Sequence, residues 1–397
     1  MIDIPGGRVT EACTGCAACA ALCPADAIDM GADEEGFPVP FVNLEACTDC
    51  QACNRACPVN AGIGGTVAPL REAAAVFAAW TRDAERRGAA SSGGVFLELA
   101  EAIIGRGGIV AGAVLDGGLR VVHACAERRS YLAEMRGSKY VQSLITGDVL
   151  RSVKAALDAG RDVLFSGTPC QVDGLLHYLG GGRPNLFTVD LVCHGVPSPL
   201  AWSAYLASLD GPRGPVVAFS FRDKRSGWRR FSIRRDHARG GTVFRNFYRD
   251  PYMTAFLRNL DLRHSCYACA YARTARVGDL TLGDFWGVQD AIPGMDQHDK
   301  GVSAVLVNTG KGQSLLAAIA GRLDLVESST GAVVAGNPAL RQPSGMPQGR
   351  RGFYPTLKLK GFRRTAWRYR LGGSPAERVI YRILRVFHSR AAERSPS

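Results

Sequence analysis

The sequence predicts an α+β protein in three parts: a short cysteine-rich unit, a mixed-sheet body and a basic helical tail. Three observations carry this. Eight of the 13 cysteines fall in two blocks before Pro58. From about Ala75, apolar runs alternate between strand-like and helix-like spacing. From Arg341 onward there are 14 basic and 2 acidic residues, which accounts for the whole net charge of +12. With 46% apolar and 21% charged residues over 397 positions, the chain is globular, and its length suits two or three domains. The stretch from Leu191 to Leu209 is broken by His194, Pro197 and Pro199, so no membrane span is expected. The N-terminus lacks a basic-then-apolar signal pattern, and a cytoplasmic location is expected.

Thirteen cysteines in a reducing compartment are not a disulfide framework. The first block reads Cys13-x2-Cys16-x2-Cys19-x3-Cys23-Pro24 and the second Cys47-x2-Cys50-x2-Cys53-x3-Cys57-Pro58. This is the bacterial two-cluster run, in which the fourth cysteine of each block ligates the other 4Fe–4S cluster. One cluster is expected on Cys13, Cys16, Cys19 and Cys57, the other on Cys47, Cys50, Cys53 and Cys23. The blocks repeat at an offset of 34, both opening Glu-Ala-Cys-Thr. Zinc knuckles are the alternative, but they pair two CxxC units across a longer gap. Residues 1–62 are thus read as a two-cluster ferredoxin domain that has few core residues of its own.

A Gly/Ala-rich connector, residues 61–69, leads into the body. Residues 91–94, Ser-Ser-Gly-Gly, precede a helical stripe of Val95, Phe96, Leu99, Ala102 and Ile103. Strands are expected at 109–115 and 119–124, a helix at 149–159, a strand at 162–165, a helix at 169–179 and a strand at 186–192. Turn residues 210–215 mark a boundary. Beyond it, 216–221, 231–235 and 242–247 suit antiparallel strands, and 277–282 and 304–307 add two more.

Five cysteines remain. Cys170 sits at a strand-to-helix turn, Cys193 just past a buried strand, and Cys266-x2-Cys269 in a polar, aromatic loop. These four are the complement for a third cubane cluster. They equally suit a zinc-binding CxxC with two packing thiols. Cys125 is left as an ordinary buried thiol.

Residues 91–94, Gly137-Ser-Lys-Tyr-Val-Gln-Ser143, Gly167-Thr-Pro-Cys-Gln171 and Asp190-Leu-Val-Cys-His-Gly195 occur in that order, followed by Cys266-x2-Cys269 and Gly283-Asp-Phe-Trp-Gly287. This set resembles the coenzyme F420 hydrogenase/dehydrogenase β-subunit family over about residues 75–327. The resemblance implies a family N-terminal flavin-binding region at 75–148 and a C-terminal flavin/4Fe–4S region at 149–330. It also implies FAD, a 4Fe–4S cluster and electron exchange with a two-electron acceptor. The archaeal hydrogenase subunit lacks a fused ferredoxin. This chain is similar to relatives that carry one, including proteins encoded with exopolysaccharide genes and a chlorophyll-derivative reductase.

Small residues opening a helix leave N–H groups free for a phosphate or a flavin carbonyl, which suits Ser91, Ser92, Gly93 and Gly94. A simple helix cap fits them as well. Lys139, beside Gly137, Ser138 and Tyr140, would stabilise a reduced anionic flavin, unless it is a surface lysine. Gly167 and Thr168 would let the backbone approach the cofactor. Asp284 would bond a ribityl or ring group, or only its own turn. His194 is the candidate proton donor, so Lys139 and His194 are the catalytic candidates. No G-x-G-x-x-G follows a strand and no Walker A is present.

Residues 341–397 form the basic tail. Tyr354 to Arg370 interleaves six basic residues with Phe362, Trp367 and Tyr369, and residues 375–388 place apolar side chains at helical spacing between arginines. Contact with the inner membrane surface or an acidic partner is one expectation. A helix docked on its own body is the other. Nothing supports nucleic acid. The expected function is an iron–sulfur flavoprotein oxidoreductase, fed by reduced ferredoxin or a redox partner subunit, acting on a small-molecule substrate or coenzyme F420. The alternatives are a non-catalytic electron-transfer subunit and a structural metal protein.

Overall fold

The computed structural model describes residues 11–372. Its strands are β1 (Ile28–Ala32), β2 (Pro38–Val42), β3 (Ala75–Thr81), β4 (Ile109–Leu115), β5 (Val121–Ala126), β6 (Val163–Gly167), β7 (Leu186–Leu191), β8 (Val216–Asp223), β9 (Ser232–His237), β10 (Thr242–Asn246), β11 (Leu280–Asp284), β12 (Ser303–Val307) and β13 (Leu323–Glu327). The class is α+β, as the sequence implied. Eight strands form one mixed sheet in the order β13-β3-β12-β11-β7-β6-β4-β5. Neighbours among β4, β6, β7 and β11 pair in parallel, and antiparallel strands flank them on both sides. A separate antiparallel sheet, β10-β9-β8, follows the turn at 210–215.

Hydrophobic pattern explains most boundaries. The run Val163–Gly167 is buried on both faces, as a central parallel strand must be. The helix Pro169–Leu179 starts with Thr168 and Gln171 in a capping box and Pro169 at its first position, and Gly180 stops it at φ 74°. The strand expected at 277–282 begins instead at Leu280. Residues just before it are engaged elsewhere: Gly278 N–H donates to Asp190, and Asp279 N–H to Thr188 Oγ. Cys125 is half-buried where a buried thiol was expected, because β5 is the sheet edge.

In the cysteine-rich unit, the hairpin β1–β2 joins the two blocks. Both blocks curl identically. Gly15 and Ala17 in the first block, and Asp49 and Gln51 one repeat later, have φ between 50° and 68°. Three of the four are not glycine, so each loop accepts strain to bend tightly around a centre. The unit also buries Ala17, Ala18 and Ala21 against Val172, Leu175 and Leu176. Small side chains let its short helix, Ala18–Leu22, lie close to the helices Gly147–Asp158 and Pro169–Leu179. Its hairpin docks through Phe37, which packs on Tyr354 with ring centroids 6.0 Å apart.

Tyr354 belongs to the helical segment Arg350–Arg368, the first tail segment, which is kinked at Gly361 where φ is 70°. Phe353, Tyr354, Leu357 and Phe362 are buried in the aromatic core with Trp202, Tyr205 and Tyr252. Arg350 holds both carboxylate oxygens of Glu35 from the cysteine-rich unit. This segment is therefore a docked helix. Lys358 and Lys360 before the kink, and Arg363, Arg364 and Arg368 after it, are exposed. The second tail segment, 375–388, lies outside the described residues. Among the described residues no helix is long and apolar enough to cross a membrane.

Candidate functional site

Each of the three cysteine sets lines one cavity. Cys13, Cys16, Cys19 and Cys57 surround one of about 360 Å³, walled by Met30, Pro40 and Pro58. Cys23, Cys47, Cys50 and Cys53 surround a second of about 340 Å³. The fourth cysteine of each block thus lines the same cavity as the first three of the other block. Cys13, Cys16, Cys19 and Cys57 are buried and form the inner set. Cys50 is exposed at the rim of the other, the outer set.

Cys170, Cys193, Cys266 and Cys269 line a third cavity of about 610 Å³, including its solvent-open mouth. Topology assembles them. Strands β6 and β7 are adjacent and parallel, so Cys170 and Cys193, which follow their carboxyl ends, emerge on the same sheet edge. That edge is where ligands bind in such sheets. The single-turn helix His264–Ala268 brings the CxxC across. Thr14, from the cysteine-rich unit, belongs to the walls of both the inner and the third cavity.

Electrostatics agree that the thiols of each set face one another. Burial pushes Cys16 up to about 12, and Cys13 and Cys57 add to the rise. Burial likewise pushes Cys193 and Cys266 up to about 12, with contributions from Cys269 in both. Cys170 rises further, and both Cys193 and Cys16 act on it. Such thiols resist ionisation alone and ionise readily onto a positive centre, as metal-bound thiols do. At Cys50, the backbone N–H of Ala52 is the main cause of a lowered pKa. Among the described residues no three His, Cys, Asp or Glu gather closely enough for a single metal ion.

Arg263 and Gln142 join the third cavity to the inner set. Arg263, buried, donates to Cys13 O at 2.6 Å, Pro38 O at 3.0 Å and Gln142 Oε1 at 3.0 Å, and Gln142 Nε2 donates to Thr14 O at 2.9 Å. Arg276 fixes the end of β7 by donating to Asp190 Oδ1 at 2.9 Å and Leu191 O at 3.1 Å. His194 stands exposed at the cavity mouth. Its Nε2 lies 2.6 Å from Asn259 Oδ1, its ring meets Phe256 edge-on, and partial desolvation of the ring lowers its pKa.

The other candidate residues converge elsewhere. Ser138 N–H donates to Ser91 Oγ at 2.6 Å, so the segments 91–94 and 137–140 touch. Ser92 Oγ donates to Val302 O, and Gly93 N–H to Ser303 Oγ. A Cβ on Gly93 would meet Ala79 O at 2.1 Å, so close packing requires that glycine. Gly94, at φ 87°, caps the helix Val95–Gly105. Lys139 donates to Glu134 O and Arg136 O, and burial lowers its pKa to about 7. Tyr140 Oη accepts from Arg222, which also holds Asp284 at 2.8 Å; Trp228 Nε1 donates to Asp284 at 2.9 Å. Lys224 gathers Arg87 O, Ser92 O and Lys300 O, and burial lowers its pKa to about 7. Gly167 and Thr168 are not in this group; Thr168 Oγ lies 3.1 Å from Cys170 Sγ.

Sequence reasoning missed Arg222, Lys224, Arg263, Gly174 and Tyr271. Arg263 had a faint signal, three residues before Cys266. Gly174 had another, as a glycine inside a helical pattern, which costs about 1 kcal/mol and implies a packing reason. The remaining three act across the fold and leave no local trace.

Residues 160–330 match the family described as the C terminus of the coenzyme F420 hydrogenase/dehydrogenase beta subunit. Residues 12–61 match a 4Fe-4S dicluster domain. No curated protein matches. A solved structure, the xenon-derivatised F420-reducing [NiFe] hydrogenase complex from Methanosarcina barkeri, has a chain that is 18% identical, with 70% of this chain and 90% of that one covered; the TM-score is 0.45, too slight a likeness to carry an argument. A dicluster domain joined to an oxidoreductase-subunit domain gives an iron–sulfur electron-transfer role. The chain thus joins a region that matches a 4Fe–4S dicluster domain to a later region, residues 160–330, that is similar to the C terminus of the coenzyme F420 hydrogenase/dehydrogenase beta subunit.

Proposed function

We propose that the chain is an FAD-dependent iron–sulfur oxidoreductase that relays electrons between the dicluster domain and an organic acceptor through a third 4Fe–4S cluster on Cys170, Cys193, Cys266 and Cys269. The observation that carries this is the sharing of walls: the third cavity has four thiols of its own and includes Thr14 of the inner set. Four cysteines lining one cavity at the carboxyl ends of parallel strands suit a cubane.

FAD fits best where the segments 91–94 and 137–140 meet Arg222 and Asp284. Two half-buried lysines, Lys139 and Lys224, edge that convergence and suit an anionic phosphate or reduced ring. Flavin interconverts one-electron and two-electron chemistry, which clusters alone do not. The role of the chain is to hold the anionic cofactor by its lysines and glycine-rich turns. His194, at the third cavity's mouth, is placed to hold a proton. The donor is a reduced ferredoxin or partner subunit meeting the exposed Cys50 side, and the acceptor is coenzyme F420 or another small molecule.

Iron and flavin analysis of anaerobically reconstituted protein tests this. About twelve irons per chain are expected, falling to about eight in Cys266→Ala, on four ligands per cubane. Lys139→Ala should lower bound FAD with iron unchanged. Eight irons in fully active protein, unaffected by Cys266→Ala, would remove the third cluster. Absence of flavin would favour a non-catalytic electron-transfer subunit.

The exposed tail face supports a second reading, contact with an anionic membrane surface. Leu359 is 80% and Trp367 83% exposed, set among Lys358, Lys360, Arg363 and Arg364. Large exposed apolar side chains flanked by cations suit an interfacial surface, although Leu359 and Trp367 stand on either side of the kink at Gly361.

A further inference from the structure

The helix Pro169–Leu179 contains one glycine, Gly174, at its midpoint and well inside its hydrogen-bonded core. Glycine there costs about 1 kcal/mol relative to alanine, and its backbone is ordinary right-handed helix, so no turn demands it. Its neighbour does. A Cβ on Gly174 would stand 2.5 Å from Cys16 Cβ and 2.7 Å from Cys16 Sγ. Real side chains essentially never come so close, so only glycine admits the inner set's loop at this position.

Cys170 lies four residues earlier on the same helix. Positions i and i+4 share a face and are separated by about 6 Å along the axis. One helix face therefore presents a thiol of the third set at one turn and a gap filled by a thiol of the inner set at the next. Tyr271 closes the flank: it lines the third cavity, its hydroxyl donates to Asp173 Oδ2 at 2.6 Å, and both Cys170 and Cys16 act on its pKa. Arg263 and Gln142, which also line the third cavity, hold the inner loop through Cys13 O and Thr14 O. The outer set shares no wall with the third cavity.

We infer that Cys16 and Gly174 form the crossing between the dicluster domain and the third cysteine set, with Gly174 a positioning residue that keeps the two sets one helical turn apart. The inference rests on the proposed third cluster. The step it describes makes and breaks no bond: one electron leaves the inner cluster, which is oxidised, and enters the third, which is reduced. A one-electron donor such as dithionite or reduced ferredoxin supplies it.

The test uses the full chain, anaerobically reconstituted and reduced by dithionite, with iron analysis and electron paramagnetic resonance. The third cluster's signal should show spin–spin interaction that survives loss of the outer cluster in Cys50→Ala and disappears with loss of the inner cluster in Cys19→Ala. Gly174→Val, at unchanged iron, should weaken that interaction and slow reduction of the third cluster in rapid-freeze experiments. Gly182→Ala, where an added Cβ meets nothing within 4 Å, serves as the control and should change neither. Interaction that persists without the inner cluster, or is lost in Cys50→Ala, would overturn the inference; so would an unchanged rate in Gly174→Val at full iron. Should Gly174→Val shed iron, the two cysteine variants decide alone. If iron stops at about eight and no third signal exists, the proposed function has failed before the crossing is reached.

Discussion

Arg222 closes a two-point ion pair on Asp284, with Nη1 2.8 Å from Oδ2 and Nη2 3.3 Å from Oδ1. The guanidinium is almost wholly buried, lies over the Phe231 ring at 4.3 Å, and shares Asp284 with Trp228. Asp284 thus has a structural duty that a ligand role alone does not explain. Asp284→Ala strands a buried cation and should destabilise the protein by about 3–5 kcal/mol, read as a lower melting temperature of reconstituted protein at full iron. Asp284→Asn keeps one acceptor and should lose less. Loss of flavin at an unchanged melting temperature would instead make Asp284 a pure cofactor contact.

Arg263→Ala should loosen the cysteine-rich unit from the body. It removes the donor from Cys13 O, Pro38 O and Gln142 Oε1 at once, each unsatisfied buried acceptor costing about 1–3 kcal/mol. Limited proteolysis should cut the connector 61–69 faster than in the parent. Equal cleavage rates would show that Phe37 and Arg350 hold the unit without it.

Asp261 should make stability fall as pH rises. Neither of its buried carboxylate oxygens has a hydrogen-bond partner on another described residue, and burial raises its pKa to about 8, opposed by its own backbone N–H and by Arg350. The unfolded carboxyl titrates near pH 4, so between about pH 4 and 8 the folded state holds the extra proton. Stability then declines by up to about 1.4 kcal/mol per pH unit. Asp261→Asn removes this term and other groups cancel in the difference, so its advantage in melting temperature should grow from pH 5 to pH 8. A difference constant with pH would reject the shift.

The exposed tail face predicts lipid binding. Full-length protein should bind vesicles containing anionic lipid, weaken as salt rises, and bind less in a double variant, Leu359→Ser with Trp367→Ser. Both side chains are exposed, so folding should be unchanged. Equal binding by the variant would reject the surface. Point variants are used in place of a truncation because removing the segment would take Phe353 and Tyr354 out of the core.

Local chemistry was legible in the sequence. The cysteines of the inner and outer sets lie a few residues apart on two loops, so their spacing alone was enough to group them, with Cys23 and Cys57 exchanged between the blocks. The helix Pro169–Leu179 was equally plain, because its cap, its first-turn proline and its stopping glycine are adjacent in the chain. Tertiary structure decided the rest. Cys170 and Cys193 meet only because β6 and β7 are adjacent and parallel, and Arg263 reaches Cys13 across 250 positions of sequence. Whether the first tail segment docked or stood free depended on an aromatic core assembled from distant helices. Such partners leave no periodicity or motif behind: a hydrogen bond or a packed ring depends on distance in space, and chain spacing encodes that distance only within an element or a turn.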